Sequence, residues 1–307
     1  MRRAADMSAA PQPRAFAAAV AATPHFILSE VSLGGQRLHD RNGFVTALGV
    51  RALRRRGLAV PAALLDALER CRSAHGGFRF WPQDARPQWA PDLPDDADDT
   101  AIMLLELLHA GRVDRAQARR VACLTIARRR IADFPLLRPP WLRPGVFATW
   151  SRDGVRRDLV DCTATANALA LFAALDLSHL PGVREAQRML ADALRWAGDD
   201  ALRAASLSPF YPDPIELVLA LDHAAECGAH GLEALHRRAA ATRWGGDAEL
   251  RSAQRDHAVC GSPYGVAVWR SPELARLRGW ALETARPART EPILDSAELD
   301  EQLTATA

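Results

Sequence analysis

Pro94-Asp95-Asp96-Ala97-Asp98-Asp99-Thr100-Ala101 opens a strongly apolar segment that continues to Leu108. Four carboxylates fall within five consecutive positions, directly after a proline. Like charges at such short range raise one another's pKa, so the cluster is costly to hold in a folded domain. One or two aspartates would be enough to cap a helix and to suit its first turn. Four exceed that need, and carboxylates with mutually shifted pKa values tend to mark functional sites.

Two kinds of helical segment alternate from about residue 40 onward. Segments of the first kind are apolar almost all round, which predicts buried helices over residues 43–53, 100–108, 163–175 and 215–221. Segments of the second kind are amphipathic and rich in arginine, which predicts surface helices over residues 62–72, 115–130, 183–196 and 232–241. Strand signals are weak throughout, because alternating β-branched runs are missing.

The apolar segments begin alike, each at a polar stretch, and their starts recur at intervals of about 50 to 65 residues, which is typical of a repeat architecture. We therefore predict an all-α fold, an α/α barrel of five to six inner and outer helical hairpins. The barrel domain is expected over residues 31–286. Residues 1–30 are expected to form an N-terminal arm, either flexible or a peripheral helix, and residues 287–307 a C-terminal tail.

Composition limits the classes of function. The net charge of +2 at pH 7 argues against a nucleic-acid-binding protein, which would show a concentrated basic patch. Every basic residue is an arginine, so chemistry that needs a lysine amine is excluded. Five scattered cysteines, an odd number, indicate a reducing compartment. No stretch approaches 18 apolar residues, so we expect a cytoplasmic protein without a transmembrane segment, whose only membrane contact would be peripheral.

Two loops combine glycine with aromatic residues: Gly76-Gly77-Phe78-Arg79-Phe80-Trp81-Pro82 and Pro144-Gly145-Val146-Phe147-Ala148-Thr149-Trp150. A looser version is Trp244-Gly245-Gly246. The glycines let the chain turn after a surface helix. Packing between neighbouring hairpins is the ordinary interpretation of the aromatic side chains.

The segment Asp96-Ala97-Asp98-Asp99-Thr100-Ala101 resembles the Asp-x-Asp-Asp-Thr-Ala signature of class II terpene cyclases. Residues 68–81 are similar to a degenerate form of the Gln-Trp repeat of squalene-hopene cyclases, with Arg72 roughly at the position of the glutamine. The two motifs cover about residues 68 to 104. The resemblance implies a toroid like that of terpenoid cyclases and prenyltransferases, and a cyclase that acts on a polyprenyl or prenyl diphosphate substrate.

On matching positions, the resemblance makes Asp98 the general acid that protonates an alkene or epoxide, with Asp96 and Asp99 as the residues that hold and tune it. Such a reaction needs a dry cavity whose aromatic faces attract cationic intermediates. Candidate lining residues in loops are Phe80, Trp81, Trp150, Tyr211 and Tyr264. Other candidate substrate contacts at the same mouth are Asp95, Asp40, Asn42, Asp161 and Asn167, with Arg79 as an anion contact.

No cofactor is expected to be required and no metal ligand is predicted, although Mg²⁺ could bind if the substrate is a diphosphate. Cyclases of this class usually place the site between two barrels, whereas this chain has length for one. A homo-oligomer or a partner subunit could supply the second barrel. The predicted ligand is a small-molecule isoprenoid.

Metal-dependent alternatives stay open. Asp95-Asp96-Ala97-Asp98-Asp99 also satisfies Asp-Asp-x-x-Asp, the magnesium-diphosphate motif of class I terpene synthases. The later Asp199-Asp200-Ala201-Leu202-Arg203 lacks the hydroxyl and glutamate of a second metal motif. Zinc would prefer four closely spaced ligands, and the available groups are smaller: His223, Cys227 and His230, or Asp256, His257 and Cys260.

Two metal-free alternatives also stay open. Paired carboxylates, Asp98 with Asp161 or with Asp40, would suit a glycosidase or a lyase on an α/α barrel. The other alternative is a non-catalytic barrel that binds an isoprenoid or a partner, in which the acidic run is a recognition patch.

Overall fold

The computed structural model describes residues 26–134, 138–150 and 159–285. Its helices are α1 (Gly43–Arg55), α2 (Ala62–Arg70), α3 (Ala97–His109), α4 (Arg115–Ala122), α5 (Cys162–Ala174), α6 (Val183–Ala197), α7 (Ala201–Ala205), α8 (Ile215–Glu226), α9 (Leu232–Ala240), α10 (Ala248–Ser252) and α11 (Pro272–Ala285). A π-helical turn (Cys123–Ala127) follows α4, and a 3-10 turn spans Pro263–Gly265. The strands are β1 (Leu28–Leu33), β2 (Gln36–Arg41), β3 (Ala258–Gly261) and β4 (Ala267–Arg270).

The prediction of an all-α barrel of five to six hairpins is wrong, because the fold includes a four-stranded antiparallel sheet in the order β2-β1-β4-β3. β1 and β2 form a hairpin, and β1 pairs with β4 so that Val31 lies opposite Trp269. These strands are only four to six residues long. The central pairing joins opposite ends of the described chain, so no local pattern could indicate it. The protein is a mixed α/β fold dominated by helices.

Helices occur in all eight segments where the apolar patterns predict them. α1 packs on α3, α3 on α5 and α5 on α8; α10 contacts both α8 and α11, and α11 packs on α1, so these helices form a closed ring of neighbours. α2, α4, α6 and α9 each pack against a member of this ring. α3 and α5 are buried over most of their circumference, whereas α6 buries one face.

The ends of the predicted domain are only partly described. β1 begins at Leu28, inside the segment 1–30 that was predicted as an arm, and Phe26 and Ile27 are buried in the core. Residues 1–25 and the whole predicted tail, 287–307, lie outside the described residues. In the described part of the chain, no helix is both long and apolar enough to cross a membrane.

Polar side chains cap the starts of three helices in the ring. Asn42 accepts a hydrogen bond from the backbone N–H of Val45 at α1 (2.8 Å). Asp96 accepts one from Asp99 at α3 (2.7 Å). Asp161 caps α5 in the same way. Capping therefore accounts for two of the polar starts and for one of the four aspartates in the acidic stretch.

Candidate active site

The acidic stretch lies between the two glycine–aromatic loops. The backbone N–H of Asp96 donates to the carbonyl of Phe78 in the first loop (3.3 Å), and that of Ala97 donates to the carbonyl of Thr149 in the second (2.8 Å). Asp96 thereby forms isolated β-bridges to both loops. The start of α3 is held from both sides by segments that also carry aromatic side chains.

The four aspartates of the stretch have different environments. Asp95 accepts a hydrogen bond from the hydroxyl of Ser73 (3.2 Å), and a Cβ atom on Gly77 would lie 2.3 Å from its Oδ2, which explains the glycine there. Asp96 is partly buried and caps α3, while Asp98 and Asp99 are buried. Asp95 does not line the cavity beside α3, but the other three do.

This cavity has a volume of about 280 Å³ and a predominantly apolar wall. The sequence contains nine phenylalanines, eight tryptophans and two tyrosines. Eight aromatic side chains among the described residues line the cavity. They are Phe44, Phe80, Trp81, Trp89, Trp150, Phe210, Tyr211 and Trp269. The aromatic content of the chain is low, at 6%, but much of it is gathered around one space that also contains three carboxyl groups.

Asp98 is held by two neutral hydrogen-bond donors. The Tyr211 hydroxyl donates to its Oδ2, and Nδ2 of Asn167 donates to its Oδ1 (2.9 Å). On its other side, Asn167 Oδ1 accepts from Nη1 of Arg51 (3.1 Å). Arginine can only donate, so this contact fixes the orientation of the Asn167 amide and directs its NH₂ group at Asp98.

The carboxyl groups at the cavity are raised in pKa. Burial raises the pKa of Asp98 to about 6, against the opposing effect of the hydrogen bonds from Tyr211 and Asn167. Burial, then the charge of Asp98, raises the pKa of Asp96 well above its usual range. For Asp99 the causes are burial and the charge of Asp96. Among the described residues, no arginine or histidine forms a direct ion pair with any of these three aspartates; the charge of Arg51, which acts on Asp98 through Asn167, opposes the effect of burial only in part.

Asp161 is fully buried and is committed to the backbone. Its Oδ1 accepts from the N–H groups of Thr163 (2.8 Å) and Ala164 (3.0 Å), and its Oδ2 accepts from that of Phe210 (3.0 Å). Burial and the charge of Asp98 raise its pKa to about 7. Asp161 does not line the cavity. It ties the loop that carries Phe210 and Tyr211 to the start of α5, and the prediction of a direct substrate contact is not supported by this placement.

Asp40 also lies outside the cavity lining, and Asn42 with it. The indole N–H groups of Trp81 (2.9 Å) and Trp269 (2.6 Å) both donate to the Asp40 carboxylate, as does Nδ2 of Asn42 (2.9 Å). Two lining tryptophans from distant parts of the chain are thus joined by one buried carboxylate. The paired-carboxylate alternative would need Asp40 or Asp161 to face Asp98 across the cavity, and neither does.

Two further predicted contacts, Arg79 and Asn167, do not line the cavity, and Asn167 reaches it only through Asp98. Arg79 forms an ion pair with the exposed Asp92 (3.2 Å) and does not line the cavity. Tyr264 belongs to the 3-10 turn near β4, and its side chain lies outside the described part of the structure. Of the predicted lining residues, Phe80, Trp81, Trp150 and Tyr211 do line the cavity.

The described residues do not provide a ligand group for either metal-dependent alternative, the magnesium-diphosphate motif or the zinc site. Within residues 26–134, 138–150 and 159–285, no cluster of three or more His, Cys, Asp or Glu side chains is arranged to hold a metal ion. His223 is buried near Cys227 (3.8 Å), but His230 is exposed. His257 instead contacts Glu216 (2.7 Å).

Several lining residues escaped prediction from the sequence, chiefly Phe44, Trp89, Phe210, Cys260 and Trp269. Trp269 and Cys260 lie on strands that carry no sequence signal. Phe44 and Phe210 could have been found from position, because Phe44 follows the cap of α1 and Phe210 immediately precedes Tyr211.

Comparison of the chain with protein-family models, with curated proteins and with solved structures yields no match. The resemblance to class II terpene cyclases therefore rests on the motifs within residues 68–104 alone.

Proposed function

We propose that the protein is a class II-type terpene cyclase, which starts the cyclisation of an isoprenoid by protonation, with Asp98 as the general acid. One observation supports this most: a buried carboxyl group with a pKa of about 6 lies in the wall of an apolar cavity rich in aromatic rings. A general acid works best when its pKa is near the working pH. The acidic motif that suggested the reaction and the cavity that suits it meet at one residue.

In the first step, the O–H bond of Asp98 breaks. At an alkene, a C–H bond forms as the π bond breaks; at an epoxide, an O–H bond forms on the oxygen as a C–O bond opens. The products of this step are the Asp98 carboxylate and a tertiary carbocation. Tyr211 and Asn167 both donate to that carboxylate, so they stabilise the charge that develops on Asp98 as the proton leaves. Each later ring closure spends one π bond on a new C–C bond.

The final cation loses a proton or takes up water, and Asp98 regains a proton from solvent, so the cycle without water capture is an isomerisation. Aromatic faces around the cavity attract the cation throughout. The apolar wall keeps water from intercepting it early. The substrate class that fits is a prenyl diphosphate or a polyprenyl hydrocarbon, and Mg²⁺ would accompany only the diphosphate.

The test is to incubate the purified protein with geranyl, farnesyl and geranylgeranyl diphosphates and with squalene, with and without Mg²⁺, and to analyse the products by gas chromatography and mass spectrometry. Asp98→Asn should lower cyclisation by about 10³-fold, the usual contribution of a general acid. The matched control is Asp84→Asn, which alters an exposed carboxylate paired with Arg70 and should keep full activity.

Cyclised product that persists undiminished in Asp98→Asn would overturn the role of Asp98. Tight isoprenoid binding without turnover of any substrate would instead favour a non-catalytic isoprenoid-binding protein.

A further inference from the structure

A carboxylate lies behind the aromatic wall of the cavity. Asp40 is 3% exposed and touches the cavity only through Trp81 and Trp269, whose indole N–H groups donate to its two oxygens. Indole and amide N–H groups can only donate, so Asp40 is the acceptor in its contacts with both tryptophans and with Asn42.

All three of these side-chain contacts use the Asp40 carboxyl group as the acceptor. Its Oδ2 receives two hydrogen bonds, from Trp269 and Asn42, and its Oδ1 receives one from Trp81. In the described part of the chain, no arginine or histidine lies within ion-pair distance of Asp40. Its charge is therefore spread over neutral donors and is not cancelled by a cation.

The two indoles form a corner of the cavity. Their ring centroids are 6.2 Å apart and their planes are inclined by 54°. The ring of Phe80 meets both of them, at 4.6 Å from Trp81 and 5.2 Å from Trp269, in edge-to-face geometry. All three rings line the cavity. Trp81 lies in a loop after α2 and Trp269 lies on β4, so the hydrogen bonds to Asp40 join two distant parts of the chain at this corner.

We propose that Trp81 and Trp269, with Asp40 behind them, form a site for an organic cation in the cavity. A cation in front of an indole is attracted by the electron-rich ring face. A carboxylate that accepts the indole N–H adds its own field from behind, through a poorly screening interior. Asp40 is a positioning residue, because it acts through the indoles and touches no ligand.

The cation class follows from the apolar surroundings: a tertiary carbocation during turnover, and a quaternary ammonium group as its stable analogue. The identity of the natural cation rests on the proposed cyclase function, whereas the site itself does not. An experiment with an ammonium probe therefore tests the site without requiring turnover.

The probes are (6-hydroxyhexyl)trimethylammonium and its neutral carbon isostere 7,7-dimethyloctan-1-ol, which differ in charge but closely match in shape. Their dissociation constants are measured by titration calorimetry. Asp40→Asn alone is a poor variant, because its NH₂ group would face an indole N–H. In Trp81→Phe that donor is absent, so an asparagine at position 40 can direct its NH₂ there and still accept from Trp269 and Asn42.

The comparison is therefore between Trp81→Phe and Trp81→Phe/Asp40→Asn, which differ only in the charge at position 40. Asp96, Asp98 and Asp99 are present in both proteins, so their attraction for the probe cancels. We expect the added substitution to weaken ammonium binding by about tenfold and to change alcohol binding by less than about twofold, since one charge interaction of this kind is lost. A purely structural role for Asp40 would weaken both probes alike.

An equal loss for both probes, or no loss for the ammonium, overturns the proposal. If the double variant does not fold, Trp81→Leu is compared with the wild-type protein, since Asp96, Asp98 and Asp99 are again common to both: a larger loss for the ammonium than for the alcohol supports the proposal, and an equal loss overturns it. If binding of the ammonium depends on Asp40 but no substrate is cyclised, the cation site is supported and the proposed cyclase function is contradicted. Cyclisation that depends on Asp98, with no effect at Asp40, would do the reverse.

Discussion

Asp98 and Glu106 lie on the same helix, α3, and both are buried. The pKa of Asp98 is nevertheless raised above its ordinary value, whereas that of Glu106 is lowered. Burial alone would raise the pKa of both. At Glu106, the hydrogen bond from Arg54 (2.6 Å) and the charges of Arg51 and Arg54 more than offset burial and lower the pKa. At Asp98, the direct partners are the neutral Tyr211 and Asn167, and the pKa rises to about 6.

The difference shows that the partner decides what a buried carboxylate can do. A carboxylate paired with arginine holds no proton at neutral pH and serves the fold, as Glu106 does. Glu216 behaves in the same way: despite its burial, the charge of Arg278 and the hydrogen bond from His257 lower its pKa to about 2. A carboxylate held by neutral donors keeps its proton more readily and is the one suited to acid catalysis.

The largest expected effect comes from removing the ion pairs of Glu106 with Arg51 and Arg54 on α3. Glu106→Gln leaves the buried Arg51 and the partly buried Arg54 without their counter-charge, so it should lower the free energy of unfolding by about 3–5 kcal/mol. Urea denaturation at pH 7 measures this. The control is Glu233→Gln, which removes an exposed pair with Arg237 and should cost less than about 1 kcal/mol. Equal losses in the two variants would contradict the structural role of Glu106.

The buried carboxyl groups that lack an ion-pair partner predict that the stability of the protein depends on pH. Asp98 and Asp161, with pKa values of about 6 and 7, bind protons in the folded protein where the unfolded chain has lost them. Stability from these groups is therefore complete at low pH and is lost as pH rises through 6 to 7. Lowering the pH from 8 to 6 should raise the free energy of unfolding by about 2 kcal/mol.

Two buried histidines, His223 and His257, also change the stability of the protein between pH 8 and pH 6, and they do so in opposite directions. Burial and the charge of Arg51 lower the pKa of His223, which favours the unfolded chain below about pH 6.5. The pKa of His257 is raised, against its burial, by its hydrogen bonds to Asp213 and Glu216, and it acts with the aspartates. Urea denaturation at pH 8 and pH 6 measures the net change in the free energy of unfolding. Asp161→Asn should remove much of the increase expected at pH 6. A protein that is less stable at pH 6 than at pH 8 would contradict this prediction.

A smaller effect is expected at the start of α3, where substitution of Asp98 should act in the opposite direction to substitution of Glu106. Asp98→Asn removes a buried charge that has no cationic partner, so at pH 8 it should raise the free energy of unfolding by about 1 kcal/mol. At pH 4 most of this gain should disappear, because Asp98 is then protonated in the folded protein. Thermal or urea denaturation at the two pH values measures the difference. Destabilisation at pH 8 by more than 1 kcal/mol would show that Asp98 has a structural role like that of Glu106.

The smallest expected effect concerns the donor on Asp98. Cyclisation should fall as pH rises through about 6, since the acid then loses its proton. Tyr211→Phe removes a hydrogen bond that favours the carboxylate, so the pKa of Asp98 should rise and this fall should move to higher pH. The rate of product formation against pH measures it, with the wild-type profile as the reference. Movement to lower pH would contradict the contact.

Prediction from sequence was most successful where the chemistry is local. The helices follow from apolar periodicity. Asn42 and Asp161 were expected as substrate contacts at helix starts, and the structure shows that they cap those helices. The placement of Asp96, Asp98 and Asp99 at a cavity follows less directly, since any acidic helix start would look alike. What separated them was their number, because four carboxylates exceed what one cap requires.

Prediction failed where partners are distant along the chain. The sheet was missed because its strands are short and β1 pairs with β4 from the far end of the described chain. Trp269 was missed with it, and so was the function of Asp40, whose two indole partners come from different elements. Arg79 was expected at the cavity, but its guanidinium pairs with Asp92 in an adjacent loop.

The sequence by itself determined the helices, their caps and the concentration of carboxylates at the start of α3, because each depends on residues within a few positions of one another. Only the tertiary structure decided which carboxylates keep a proton. That choice depends on whether a guanidinium, as at Glu106, or the neutral Tyr211 and Asn167, as at Asp98, arrives from another helix or loop. Burial removes water from both groups, and the partner supplied by the fold then sets their charge.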